Sequence, residues 1–138
     1  MPGIPHHVKE AAVTGLPYTP AMQIGRLLFV SGQLPLVPAT GQPPDDTIEA
    51  QTEQALVNLR QLLQSAGSGL EHVVKTTVFL SDISLFSRMN SVYTTFFPHN
   101  PPARSAFAVA ALPFGVLVEI EAIAELPTTD VKESTDAC

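Results

Sequence analysis

Two residues are set apart by their surroundings, Arg104 and Glu119. Arg104 is one of four arginines in the chain and follows a Pro101-Pro102-Ala103 turn at the start of an uncharged run. A lone surface arginine most often pairs with an acid, yet its planar fork of donors also suits bidentate capture of a carboxylate. Glu119 stands between Val118 and Ile120 in an alternating stretch. A carboxylate there is costly unless it is paired or put to use. Burial would raise its pKa from about 4.3 and suit it to proton transfer. Glu121 shares its face, and spacing alone does not choose between the two.

Other chemistries find little support. His6 and His7 adjoin in a loop or edge strand, His72 follows the Gly69 turn, and His99 lies beside a proline. None has metal-ligand spacing, and Cys138, the single cysteine, ends the sequence, so a Cys metal site or internal disulfide is not expected. Gly67-Ser68-Gly69 follows a helical pattern instead of opening one, which reads as a C-cap and turn, not a phosphate loop. Ser31 lacks nucleophile-elbow spacing, which leaves a Ser-His-Asp hydrolase without a basis.

The elements that must position Arg104 and Glu119 follow from periodicity. From Asp46 to Ala66 the residues Ile48, Ala55, Leu59, Leu62, Leu63 and Ala66 form one helical stripe. Asp46 with Glu49 has capping-box spacing, and Gly67 supplies the stop. A second helix is expected over about Ser84–Phe97, with Leu85, Met89, Val92 and Phe96 inward and Pro98 ending it. Strands are expected at Met22–Ile24, Arg26–Ser31, Val73–Leu80, Ser105–Ala111 and Leu117–Glu125. The order is β-β-α-β-α-β-β, an α/β (α+β) arrangement, and right-handed crossovers put both helices on one face of a single sheet.

In the last strand Val118, Ile120, Ala122 and Ala124 suit the helix-covered face, while Leu117, Glu119, Glu121 and Ile123 mix apolar and acidic side chains on the other. A second face of that kind points to burial by another subunit. The 138 residues are one domain's worth, 45% hydrophobic and 14% charged. Residues 1–126 are expected to form the domain and 127–138 a flexible polar tail. No apolar stretch approaches the ~18 residues of a membrane span, and residues 1–15 lack a signal core or transit-peptide character, so a cytoplasmic location is expected. Seven Lys+Arg against thirteen Asp+Glu give a net charge of −6, which disfavours a phosphate-backbone binder.

Three segments, Pro102-Ala103-Arg104-Ser105, Leu112-Pro113 and Val118–Ala124 (VEIEAIA), resemble the C-terminal signature of the reactive intermediate deaminase (Rid) family, also described as L-PSP endoribonucleases. Phe29–Gln33 (FVSGQ), Val74–Leu80 (VKTTVFL) and Asn90-Ser91-Val92-Tyr93 extend the similarity from about Pro17 to Ala124. The resemblance implies a chorismate-mutase-like fold, a homotrimer with clefts at its subunit interfaces, and neither metal nor organic cofactor. It implies hydrolysis of 2-imino or enamine acids to 2-oxo acids and ammonia. By motif position, Arg104 would grip the substrate carboxylate and Glu119 would orient and activate water. Tyr18 would line the cleft mouth from a neighbouring subunit, Ser31 and Gly32 would form the opposite wall, and Asn90, Ala106 and Phe107 would complete the substrate-binding set. Two alternatives stand beside this: a biosynthetic relative acting on a larger imine-type intermediate, and an RNA-directed or chaperone-like member. The sequence departs from the family at Leu16-Pro17-Tyr18-Thr19-Pro20-Ala21, usually Gly-Pro-Tyr-Ser-Gln-Ala, and at Ala106, often Cys. A stiffer, less polar entrance and a smaller side chain beside the anchor lead to an expected preference for substrates bulkier than 2-iminopropanoate.

Overall fold

The long helix follows its local sequence signals to within two residues. The computed structural model, which describes residues 3–7 and 15–128, runs α1 over Ile48–Ser65. Its N-cap is Thr47, whose hydroxyl accepts from the Ala50 amide at 3.2 Å, so the expected cap at Asp46 is displaced by one residue. Asp46 instead accepts from Gln51 Nε2 at 3.4 Å, and Glu49 pairs with Arg88. At the other end Gly67 has φ +87, its amide donates to Gln64 O at 3.1 Å and the Ser68 amide to Leu63 O at 2.8 Å. That is a Schellman closure with glycine at the left-handed position.

The sheet has six strands, one more than expected: β1 Ile4–His6, β2 Ala21–Ile24, β3 Leu27–Gln33, β4 Val73–Leu80, β5 Ala103–Ala108 and β6 Val118–Glu125. The additional strand, β1, pairs antiparallel with β2, where His6 Nε2 lies 2.9 Å from Gln23 Oε1. Spatial order is β1-β2-β3-β6-β4-β5, so β6 inserts between β3 and β4 and is antiparallel to both. α1 joins β3 to β4, and α2, Phe86–Phe96, joins β4 to the parallel edge strand β5. The second helix opens with a 3-10 turn, Ile83–Leu85, instead of starting as α at Ser84. β5 ends at Ala108, short of the expected Ala111.

One face of the sheet carries the core. Leu28 and Val30 of β3, Val78 and Leu80 of β4, and Val118, Ile120, Ala122 and Ala124 of β6 are buried against Leu56, Leu59 and Leu63 of α1 and Met89 and Tyr93 of α2. This is the inward set expected for the last strand. The Arg88 guanidinium clasps Glu49 at 2.7 and 2.8 Å, tying the helices together on their exposed side. Buried Gln51 accepts from the Leu117 amide at 2.8 Å and pins α1 to the start of β6. Of the polar tail only residues 127 and 128 are described; the rest, with Cys138, lies outside the described residues.

Candidate active site

The chain divides its candidate residues into two groups. The first is built on the edge strand. Arg104 is in register with Thr76, and Ala106 with Val78, which puts both on the helix-covered side of β5. The Arg104 guanidinium reaches α2, where Nη1 donates to Asn90 Oδ1 at 2.6 Å. Its Cζ lies 4.8 Å from the centroid of the Tyr93 ring and 5.4 Å from that of Phe86. Every one of these partners is neutral. Among the described residues the ion pairs are Arg26–Glu125 and Arg88–Glu49, and neither involves Arg104.

The second group is built on the uncovered face. Glu119 is in register with Phe79, three residues along β4 from Thr76, so its side chain leaves the opposite face from that of Arg104. The β3–β6 pairing is interrupted between Val30 and Gln33, and Gly32 within that bulge lies against the Glu119 carboxylate. A Cβ on Gly32 would overlap that carboxylate, so any larger residue there would displace the Glu119 side chain from its position. The Ser31 hydroxyl donates to Thr19 O at 2.7 Å and its amide to Pro20 O at 2.9 Å. Those bonds fasten the segment that presents exposed Tyr18. Phe107 stacks edge-on against Phe79 with centroids 5.5 Å apart and thus sits on the same face as Glu119.

Burial pushes the Glu119 carboxyl above its ordinary range, and the neighbouring Glu121 carboxylate adds to the rise. Glu119 is half-buried where Glu121 is exposed, which distinguishes two residues that spacing left equivalent. Opposite the fork of donors at Arg104 there is therefore a carboxylate suited to hold a proton, but a single chain puts a sheet between them. The two residues expected to share one cleft are not brought together within the chain. Tyr93, Phe86 and Thr76 around Arg104 were not singled out by sequence. Their signal was the Phe86, Asn90, Tyr93 spacing of one helix stripe, legible only once the β4–β5 register is known.

Among the described residues no group of three or more His, Cys, Asp or Glu could hold a metal ion, and no helix is long and apolar enough to cross a membrane. A cavity lined by Leu70, Phe96, Phe97 and His99 lies at the C-terminal end of α2.

A family model described as Endoribonuclease L-PSP matches residues 9–126. The chain is 46% identical over 116 residues to the 2-iminobutanoate/2-iminopropanoate deaminase of Mus musculus, covering 84% of this chain and 85% of that protein. A RutC family protein of Sinorhizobium fredii is 49% identical over 110 residues, 80% of this chain and 87% of its own. Among solved structures, RidA from an Antarctic Psychrobacter superposes with a TM-score of 0.83 at 35% identity, covering 88% of this chain and 98% of that one. Escherichia coli TdcF, solved with bound serine, superposes with a TM-score of 0.81 at 36% identity over 88% of this chain and 98% of its own. With the family model, the sequence identities and the superpositions in agreement, the chain belongs to the Rid, or endoribonuclease L-PSP, family.

Proposed function

We propose that this protein hydrolyses reactive 2-imino and enamine acids to 2-oxo acids and ammonia, in clefts formed between the subunits of a homotrimer. The observation that carries this reading is the Arg104 guanidinium, half-buried and held by neutral groups among the described residues, with its charge left for a ligand. A substrate carboxylate supplies the missing acid. The opposite faces of Arg104 and Glu119 favour a cleft in which Arg104 of one subunit meets Glu119 of a neighbour. The uncovered sheet face, with exposed Leu27, Phe29 and Phe107, offers the apolar surface such an assembly buries.

In that cleft the carboxylate anchors on Arg104 and the imine carbon faces Glu119. Glu119 takes a proton from water as its oxygen bonds to C2 and the C=N electron pair moves to nitrogen. The resulting carbinolamine loses ammonia once its nitrogen is protonated, while the C2 hydroxyl gives up its proton and becomes the carbonyl of the 2-oxo acid. An enamine enters the same route after protonation at C3. Ser31 and Gly32 wall the site beside Glu119, and Tyr18 stands at its mouth. The entrance segment exposes Leu16 and Tyr18, and Ala106 leaves room beside the anchor, which supports side chains larger than methyl.

The test is turnover of imines generated in situ by an amino-acid oxidase from alanine, 2-aminobutyrate, leucine, methionine and phenylalanine. Activity rising towards leucine or phenylalanine supports the reading and the bulkier preference; inactivity on all five overturns it in favour of a specialised biosynthetic imine. Salt-dependent RNA cleavage that survives Glu119→Gln would instead favour the RNA-directed alternative. Refolding Arg104→Ala together with Glu119→Gln checks the shared cleft. Mixed assemblies regain activity if the two residues come from different subunits, and stay inactive if one subunit supplies both.

A further inference from the structure

We propose that Tyr93, locked by Thr76, is a positioning residue that holds Arg104 ready for an anionic ligand; this rests on the carboxylate-anchor role given to Arg104 above. Phe86, Asn90 and Tyr93 fall at i, i+4 and i+7 along α2 and so project as one stripe towards the edge strand. Arg104 lies along that stripe, its Nη1 on Asn90 at 2.6 Å and its Cζ 4.8 Å from the Tyr93 ring centroid. The Tyr93 ring is buried and backed by Phe97, whose centroid is 4.8 Å away. Its hydroxyl is fixed by a 2.7 Å hydrogen bond with Thr76 Oγ1, a buried residue of β4.

Thr76 is also the strand partner of Arg104 in the parallel β4–β5 pairing. One residue thereby stands at both ends of the arginine: beside its backbone in the sheet register, and linked to its guanidinium through Tyr93. Burial pushes the Tyr93 phenol above its ordinary range, which keeps the ring neutral throughout the physiological span. A neutral π face attracts the cation without cancelling its charge, as a carboxylate in the same place would. A long side chain that is already oriented loses less freedom when a ligand binds. Nη1 spends a donor on Asn90, and further donors of the fork remain for a carboxylate.

A buried Tyr–Thr hydrogen bond could equally serve packing alone, and a charge-selective measurement separates the roles. Dissociation constants are measured for 2-oxobutanoate and for its uncharged amide, 2-oxobutanamide, on the intact protein and on Tyr93→Phe, Thr76→Val, Tyr93→Leu and Arg104→Ala. Tyr93→Phe and Thr76→Val, both close in shape, should weaken the acid several-fold and leave the amide unchanged. Tyr93→Leu, which removes the π face, should weaken the acid by roughly 3- to 30-fold, again sparing the amide. Equal losses for acid and amide in the conservative variants, or no loss for either, would overturn the positioning role. Arg104→Ala reports on the underlying reading separately. If it fails to weaken the acid selectively, the carboxylate anchor itself is wrong, whatever the Tyr93 variants do.

Discussion

The two faces of the sheet obey different rules. On the helix-covered face each inward residue of β6 is apolar and buried, and the buried Thr76 hydroxyl is satisfied by Tyr93. On the other face Phe29 is 44% exposed, Glu119 carries a carboxyl that burial disfavours in its charged form, and Glu121 repels it. The core of the first face is satisfied by the chain, Thr52 Oγ1 excepted, and only at its edge strand does Arg104 leave a charge for a ligand. The second leaves apolar area and an electrostatic cost unresolved; in the proposed trimer a neighbouring subunit would cover the area, and a substrate or water would meet the carboxyl. Packing residues gather where local demands agree, and the candidate chemistry gathers where they conflict.

The contrast is broken most severely at Glu119. Replacing it with Gln keeps the shape but removes the proton acceptor, so kcat should fall by about 10²- to 10⁴-fold with KM little changed. Glu121→Gln should leave kcat within a few-fold. Steady-state rates of imine hydrolysis for the two variants decide, and the reverse ranking would move the proton-transfer role to Glu121. Arg104→Ala comes next. Loss of a charge-assisted contact is worth on the order of 1.5–3 kcal/mol, or roughly 10- to 150-fold in kcat/KM for carboxylate substrates, carried mainly by KM. The fold should survive, because Arg104 lies on the edge strand and hydrogen-bonds one side chain, Asn90 of α2. Unchanged kinetics would end its role as anchor.

A smaller effect tests the covered side. Thr47→Ala removes the hydroxyl that accepts from Ala50 and should cost about 0.5–2 kcal/mol in urea unfolding. Asp46→Ala should stay within about 0.5 kcal/mol, since its contact with Gln51 is long at 3.4 Å. A larger loss at Asp46 would restore it as the effective cap.

How much of this could be read from the sequence depends on the range of the interaction that decides each feature. β4 is found at the expected Val73–Leu80, and α1 within two residues at its start and one at its end, because periodicity and end signals are local. The cap was misplaced by one residue because Asp46 and Thr47 are both good capping types, and only backbone geometry selects between neighbours. β1 is three residues long with a proline at its centre, too short for an alternating pattern to show. Glu119 and Arg104 stood out by residue type, but their separation by the sheet follows from β6 inserting beside β4 and from the parallel β4–β5 register. Both are products of long-range pairing. The same holds for the contact of Tyr93 with Arg104.

The least expected effect, and the most direct check on the contrast between faces, is on stability. Glu119 has its folded-state pKa raised, first by burial and then by Glu121. Between the ordinary carboxyl value and that raised value the folded chain binds more protons than the unfolded one. Stability therefore falls as pH rises through that window, and the deficit persists above it. Glutamine has no charge to desolvate or repel. Glu119→Gln should thus match the unmodified protein near pH 4 and become the more stable of the two towards about pH 8, by a modest margin because Glu119 is only half-buried. Urea midpoints at fixed protein concentration across that range give the answer, with concentration held constant because subunit association shifts apparent stability. A variant that is inactive yet gains stability as pH rises would show a carboxylate retained at a cost to folding. A variant whose relative stability is flat with pH would mean that Glu119 pays no burial penalty, and the open face would then be ordinary surface at that position.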